Sequence, residues 1–506
     1  MTGSWAKPLL IWIVALTLSV VGLDRLHAMN WDLGQDASID CDVTVSYGAG
    51  WRLQDPEPDK LASANSNDGE YNFDSAGDMY SNRFNITADI DARYKNFGVF
   101  VRPRAFYDFV YEGKNANYDQ NPTPNYIGDD PNEFSDDTKN MHGSRAEFLD
   151  YFLYGDLNLG DRNLQVRVGS QTIQWGESLY IPGINTAQAH MDLTAASAPG
   201  TEVKEVLLPS GAVLAQIDVT TDGNVSLVGY YQWEWEKNRM YESGSYFSTA
   251  DYLDEAGITF LHPAVPGGLS KLADDEPDGG QFGAALMFVV PALNATEFGL
   301  YYVNYHEKAL SLEIAPPNYQ LTFAQDVKLY AVSFSSQLGR WNVSGELSYR
   351  DGILTPTKAG SNSLADLVQG QVSWYWRARP WLIGPLMDYM TVIGEVAFVS
   401  LADSDLPKEL LAWDDFAWGY NLGVTATWLQ LLPDLDVDVP VNYVGRPEGT
   451  AANGILVEKA DSYSVKLDLT YKAVYKMSLS YVDYLRSDFN SRSDRDYVSV
   501  QFKYTF

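Results

Sequence analysis

The 506 residues suit several soluble domains or one large barrel, so length alone settles nothing. A formal net charge of −32 offers no basic surface for phosphate, which argues against a nucleic-acid partner. One cysteine, Cys41, precludes an intramolecular disulfide, and five scattered histidines form no ligand cluster, so neither a metal nor a cofactor is expected.

In chain order, Lys7 precedes an apolar run from Leu9 to Gly22, and Leu26-His-Ala28 follows as a small-residue cleavage site. Residues 1–28 therefore read as a secretory signal peptide, too short to span a membrane as a helix. Its loss takes the charge to −33, because Lys7, Arg25 and Asp24 leave together. No later apolar run is long enough for a spanning helix, which argues against an inner-membrane helical protein. Residues 29–506 read as one domain.

That domain holds eighteen segments of alternating polarity, from Asp42–Leu53 to Asp496–Phe506, with thirty-three Tyr, fourteen Trp and twenty-one Phe in the chain. Strands that cross a bilayer alternate lipid-facing and lumen-facing residues and gather aromatics at the interfaces. Connections sort by length. Lys95-Asn96, Asp222-Gly223 and Gly339-Arg340 are tight, whereas 54–79, 113–145, 237–280 and 308–325 are long. The expected fold is all-β: a transmembrane antiparallel up-and-down β-barrel of about 16–18 strands, with long extracellular loops and a short inserted plug-like segment. Acidic stretches such as 55–59, 129–137 and 274–278 read as solvated loop surface rather than divalent-cation sites.

The inserted segment follows a strand in which Leu164, Val166 and Val168 share one face while Gln165, Arg167 and Gln171 share the other. The chain leaves it through Trp175-Gly-Glu-Ser178 and Ile181-Pro-Gly-Ile-Asn185, passes a helix-compatible piece over 186–196, and exits at Pro199-Gly200. Residues 175–209 are the candidate lumen constriction. Arg167 and Gln171 are expected on the lumen wall, Trp175 at an exit turn anchored near the membrane interface, and Glu177 toward lumen or rim. Asn185 is a candidate N-cap. Farther on, Tyr231, Trp233 and Trp235 alternate with Gln232, Glu234 and Glu236, which reads as an outer aromatic girdle over an acidic lumen wall. Trp374, Trp376, Arg377 and Arg379 repeat the theme near a rim. In the last strand Val498, Val500, Phe502, Tyr504 and Phe506 share one face, and a terminal Phe on such a strand resembles the signal read by the outer-membrane barrel-assembly machinery.

Several stretches together resemble the proteobacterial outer-membrane family defined by domain of unknown function 1302: Gly50-Trp-Arg-Leu-Gln-Asp-Pro56, residues 77–89, Phe97-Gly-Val-Phe-Val-Arg102, residues 171–185, residues 199–209, residues 231–237 and Tyr246-Phe-Ser-Thr249. The resemblance implies a periplasmic partner (domain of unknown function 1329), an inner-membrane transporter of the resistance-nodulation-division type, and movement of lipid-like or sterol-like molecules across the envelope. It also implies basic residues just before Pro199-Gly200. This chain has Ala195-Ala-Ser-Ala198 there, so a preference for anionic cargo is not carried over.

Three functions follow as expectations. The first is an outer-membrane conduit for hydrophobic small molecules, in contact with outer-membrane lipid and lipopolysaccharide. The second is a passive porin that favours cations through Glu234 and Glu236. The third is a surface enzyme or adhesion protein built on the acidic loops. Of these the enzyme is disfavoured, because His306 and Ser311 have nothing like a nucleophile elbow around them.

Overall fold

The structure is a computed structural model that describes residues 29–116, 120–124, 132–263, 265–378 and 386–506. The expected leader, part of the 113–145 connection and Arg379 lie outside the described residues. Eighteen strands form the wall: β1 (Ala37–Arg52), β2 (Met79–Tyr94), β3 (Phe97–Asp108), β4 (Ser144–Leu159), β5 (Arg162–Gln171), β6 (Ser210–Asp218), β7 (Val225–Gln232), β8 (Gln281–Val290) and β9 (Thr296–Tyr305). The second half supplies β10 (Val327–Leu338), β11 (Trp341–Pro356), β12 (Asn362–Ala378), β13 (Tyr389–Ser404), β14 (Phe416–Leu432), β15 (Leu435–Glu448), β16 (Ser462–Tyr471), β17 (Tyr475–Tyr484) and β18 (Tyr497–Thr505).

Each strand pairs antiparallel with its chain neighbour, and β1 pairs with both β2 and β18, so the sheet is a closed ring. The seam is sealed by the last residue. The Phe506 amide donates to the Val43 carbonyl at 2.9 Å, and the Val43 amide returns the bond at 2.8 Å. Below it, Met29–Asp32 pairs with the start of β1, covering an edge that β18 is too short to reach. Cys41 is a half-buried thiol on β1.

Side chains obey the expected period of two. Leu153, Leu227, Leu300, Val332, Leu347 and Leu479 point outward and are exposed across the middle of the wall. Inward positions on the same strands are polar or small, as in Ser344, Glu346, Ser348 and Arg350 of β11, all buried. Stacked aromatics such as Trp341 on Trp376 and Tyr475 on Tyr504 flank the outer apolar band, with ring centroids 5.4 and 4.7 Å apart. An edgeless sheet satisfies every backbone group internally, and an apolar exterior asks for hydrocarbon rather than water. The protein is a β-barrel of the bacterial outer membrane. No described helix is long and apolar enough to cross a membrane.

Loops sort by rim. The tight turns use left-handed backbone at Lys95, Gly160, Gly223, Gly339 and Asp434, while the long connections meet at the opposite, extracellular end. There, strands 259–262, 265–271, 311–315 and 318–322 form a small separate sheet over one side of the mouth. Over the other side, Arg52 and Arg495 share Glu70, at 2.8 and 2.6 Å, inside a cluster that includes Phe73, Tyr80 and Tyr246. A buried charge pair of this kind fixes one loop arrangement, since removing either partner strands the other.

The wall makes a direct prediction. Leu347→Arg puts a charge at mid-depth facing lipid and costs about 2–4 kcal/mol, whereas Gln216→Arg, on the inner face, is tolerated. Folding yield into lipid vesicles, read from the gel shift between heated and unheated samples, separates the two.

Candidate functional site

After Gln171 the chain turns inward instead of continuing into an extracellular loop, and residues 172–209 lie within the ring before β6 resumes the wall at Ser210. What holds them is mostly backbone. On the far wall, Glu346 of β11 accepts from the amides of Glu177 (2.7 Å) and Ile184 (2.8 Å). Glu395 of β13 accepts from Leu179 (2.6 Å), Tyr180 (3.3 Å) and Ile181 (2.6 Å). The intervening carbonyls are met by donors from the same wall: Gln371 Nε2 to Ile181 O (3.1 Å), Gln369 Nε2 to Pro182 O (2.6 Å) and an Arg350 guanidinium N–H to Gly183 O (2.8 Å). Five amides and three carbonyls are thus read by five inward side chains from three adjacent strands.

The glycines of the two sequence motifs have their reason here. A Cβ on Gly183 would collide with the Glu346 carboxylate, and Gly176 takes a φ of +93° with the same carboxylate beside it. Only glycine lets backbone approach that closely. The second foot is Pro199-Gly200 against the seam: Ser46 Oγ donates to Gly200 O (2.7 Å), and the Gly200 amide donates to Gln501 Oε1 (2.9 Å). Salt bridges flank it, Lys204 to Asp89 and Lys503 to Glu202, each at 2.8 Å. Between the feet, Asp192 pairs with Arg104 at 3.0 Å. Burial would raise its pKa, but Arg104 and Arg239 beside it hold it well below the usual carboxylate range.

Beneath these polar contacts the segment is apolar. Ile173, Ile181, Ile184 and Ala187 are at most 3% exposed and pack on inward residues that include Tyr230, Val303 and Tyr305. A cavity lies to either side of this layer. The outer one, about 410 Å³, is lined by Pro182, Ala189 and Met191 of the segment, by loop residues including Leu310, Leu312 and Trp413, and by Ile353 and Leu354 of β11. The inner one, about 460 Å³, reaches from Ile173 and Trp175 to the tight turn at Gly223-Asn224 and is more polar, with Arg167, Gln216 and Glu297 on its wall.

The expected residues are placed as follows. Arg167 faces the lumen over the Phe152 ring at 5.6 Å, and Gln171 is buried, donating to Ala212 O at 3.0 Å. Trp175 is not at the membrane interface: it packs on Tyr230 and Tyr301 inside the barrel, because the chain has already turned inward. Glu177 lies in the seated segment. Asn185 is inside a short 3-10 turn, accepting from the Gly183 amide, and the true cap is Asp192, which accepts from Ala195 at the start of the helix Leu193–Ser197. Glu234 and Glu236 are not on the lumen wall. Strand β7 stops at Gln232, Glu234 reaches back to the Gly211 amide (2.7 Å), and Glu236 is exposed beyond it. Trp233 faces outward, but Trp235 leaves the girdle to pack on Phe323, since alternation ends with the ladder. Val498, Val500, Phe502, Tyr504 and Phe506 lie along the closing strand and its end, with Phe502 exposed outward.

Elsewhere, Glu255, Asp274 and Glu276 cluster closely enough to suggest a cation. Lys237 already occupies that centre, bonded at 2.6 Å to Glu255 and 2.8 Å to Asp274; burial would lower its pKa, but these carboxylates and Asp254 raise it. His306 Nδ1 accepts from the Asp326 amide at 3.0 Å, a loop-holding role.

The model for the family described as "Protein of unknown function (DUF1302)" matches residues 9–506. The chain belongs to the DUF1302 family. The motifs that carried the resemblance, 171–185 and 199–209, are the two feet of the seated segment in this DUF1302 barrel. No curated protein matches the sequence. Among solved structures, Acinetobacter baumannii OccAB4 is 9% identical, with 94% of this chain and 98% of that one covered and a TM-score of 0.48. Pseudomonas aeruginosa OccK9 (OpdG) is 10% identical over 93% and 98%, TM-score 0.43. Salmonella typhi OmpF, solved with daunomycin, is 8% identical over 94% and 100%, TM-score 0.40.

Glu346 and Glu395 escaped the sequence reading because a carboxylate on an inward strand position looks like any lumen-wall residue. Their signal is an inward acid at mid-strand, in a chain whose inserted segment carries glycines with no turn of their own to explain them.

Replacing both with alanine leaves five amides without their partners, of which the two that are buried, those of Ile181 and Ile184, cost about 1–3 kcal/mol each. The double variant Glu346→Ala/Glu395→Ala therefore unseats the segment while the wall still forms. Single-channel conductance in planar bilayers rises, with the heat-induced gel shift retained.

Proposed function

We propose that this DUF1302 barrel is a gated conduit that passes uncharged or weakly polar hydrophobic small molecules through the outer membrane. The single observation that carries this reading is the apolar outer cavity resting directly on the seated segment. A passive ion pore needs a continuous wet path, whereas here the layer formed by Ile173, Ile181, Ile184 and Ala187 separates two cavities. Each cavity falls in the size range of small-molecule sites. A cargo molecule enters from the loop side, partitions into the outer cavity, and passes when the segment shifts from its wall contacts. No covalent chemistry is needed; direction comes from a gradient or from a partner that removes the cargo.

Family membership supports a place for this barrel beside a resistance-nodulation-division type transporter and a periplasmic protein. The cation-preferring porin loses its specific support, since Glu234 and Glu236 stand outside the lumen wall.

In-cell crosslinking, affinity purification and mass spectrometry test the assembly. An inner-membrane transporter and a periplasmic protein enriched above other abundant barrels are expected. Recovery of assembly factors and lipopolysaccharide-associated proteins alone sinks the envelope-spanning arrangement. Deleting residues 183–198 tests the gate in isolation: ion conductance rises several-fold, and an unchanged conductance removes the segment from the path.

A further inference from the structure

We propose that the outer cavity is a selective binding site for an uncharged, predominantly apolar ligand and that it rejects anionic amphiphiles of the same size. This rests on the conduit reading for its biological meaning and specifies the class of cargo that the site takes.

Two cations border the cavity and at first suggest a carboxylate or sulfate headgroup. Lys308 is 3% exposed and Arg350 is 2% exposed. Both are already bonded to the protein. Lys308 Nζ donates to Ala187 O (2.9 Å), Gln281 Oε1 (3.0 Å) and His306 O (3.3 Å), filling its three donor positions. Arg350 donates to Gly183 O and, at 2.8 Å, to Gln369 Oε1. Turning either toward a ligand would strip a carbonyl of the seated segment. The remaining ionic group on the lining is Glu307, a carboxylate that accepts from Tyr305 Oη at 2.6 Å and repels an anion. Asn238 Oδ1 accepts from the Met191 amide. A charged headgroup entering here would lose its water beside the Glu307 carboxylate, with Lys308 saturated and Arg350 tied to Gly183 and Gln369, and an uncharged molecule avoids that cost. The lining offered instead is mostly aliphatic, with Trp413 at its side and uncharged polar side chains such as Asn362 and Asn453 among it.

The test uses two probes that share a framework: N-phenyl-1-naphthylamine, which is uncharged, and 1-anilinonaphthalene-8-sulfonate, which carries one negative charge. The full-length mature protein in lipid nanodiscs is titrated with each, following energy transfer from tryptophan above the background of empty nanodiscs. The uncharged probe binds at least about tenfold more tightly. Ala309→Phe/Ala412→Phe, two exposed lining positions, fills the space and weakens its binding about tenfold. Leu312→Lys adds an unengaged cation and brings in the sulfonate. Equal affinity of the wild type for both probes, or unchanged binding in the filled variant, overturns the proposal; the heat-induced gel shift confirms that each variant is folded. Uptake of the uncharged probe by intact cells separates the two readings. Binding without accelerated uptake sinks the conduit and leaves the site, and undiminished uptake through the filled variant removes the site from the path and leaves the conduit.

Discussion

Two carboxylates without a salt-bridge partner hold the inside of this barrel in place. Glu346 and Glu395 are buried on the far wall and draw their hydrogen bonds from five backbone amides of the seated segment. Backbone amides are fixed dipoles, so this arrangement specifies the path of the chain rather than the identity of its side chains. That explains how the stretch from Glu177 to Ile184 can present Ile181 and Ile184 to the core while five of its amides and three of its carbonyls are answered from the wall. It also accounts for the two glycines that let the carboxylate approach. Remove the carboxylates and five amides lose their partners, those of Ile181 and Ile184 in buried positions, so the seat is weakened.

The second foot uses different physics. Around Gly200 the contacts include ion pairs between long side chains, Lys204 with Asp89 and Lys503 with Glu202, which are partly exposed and individually weak. One end of the segment is therefore held by hydrogen bonds from the wall to its backbone, and the other combines hydrogen bonds at Gly200 with salt-sensitive ion pairs.

The wall was legible in the sequence because it depends on a local period. Alternation of polarity locates all eighteen strands, and errors fall at strand ends, where the ladder stops for reasons that lie in the partner strand. Trp235 shows this: its neighbours alternate correctly, but β7 has ended at Gln232, and the ring goes to Phe323 in another loop. The inserted segment was legible as a location and not as a mechanism. Its glycines and prolines mark departures from the wall, yet what they approach, Glu346, lies far along the chain at a position indistinguishable from any inward residue. Lys237 makes the complementary point, since a run of acids reads as solvated until the cation that gathers them is found in space.

The seam has a bearing on how the molecule is made. Gly200 touches Ser46 on the first strand and Gln501 on the last, residues 301 positions apart in the case of the Gly200 amide and Gln501. That socket is complete only once β18 has zipped onto β1 and Phe506 has met Val43. The Glu395 anchor, too, arrives only with β13. Seating of the inserted segment is therefore tied to assembly of the wall: its contacts to Ser46, Asp89 and Arg104 need only the first three strands, whereas its full seat is complete only when the circle is.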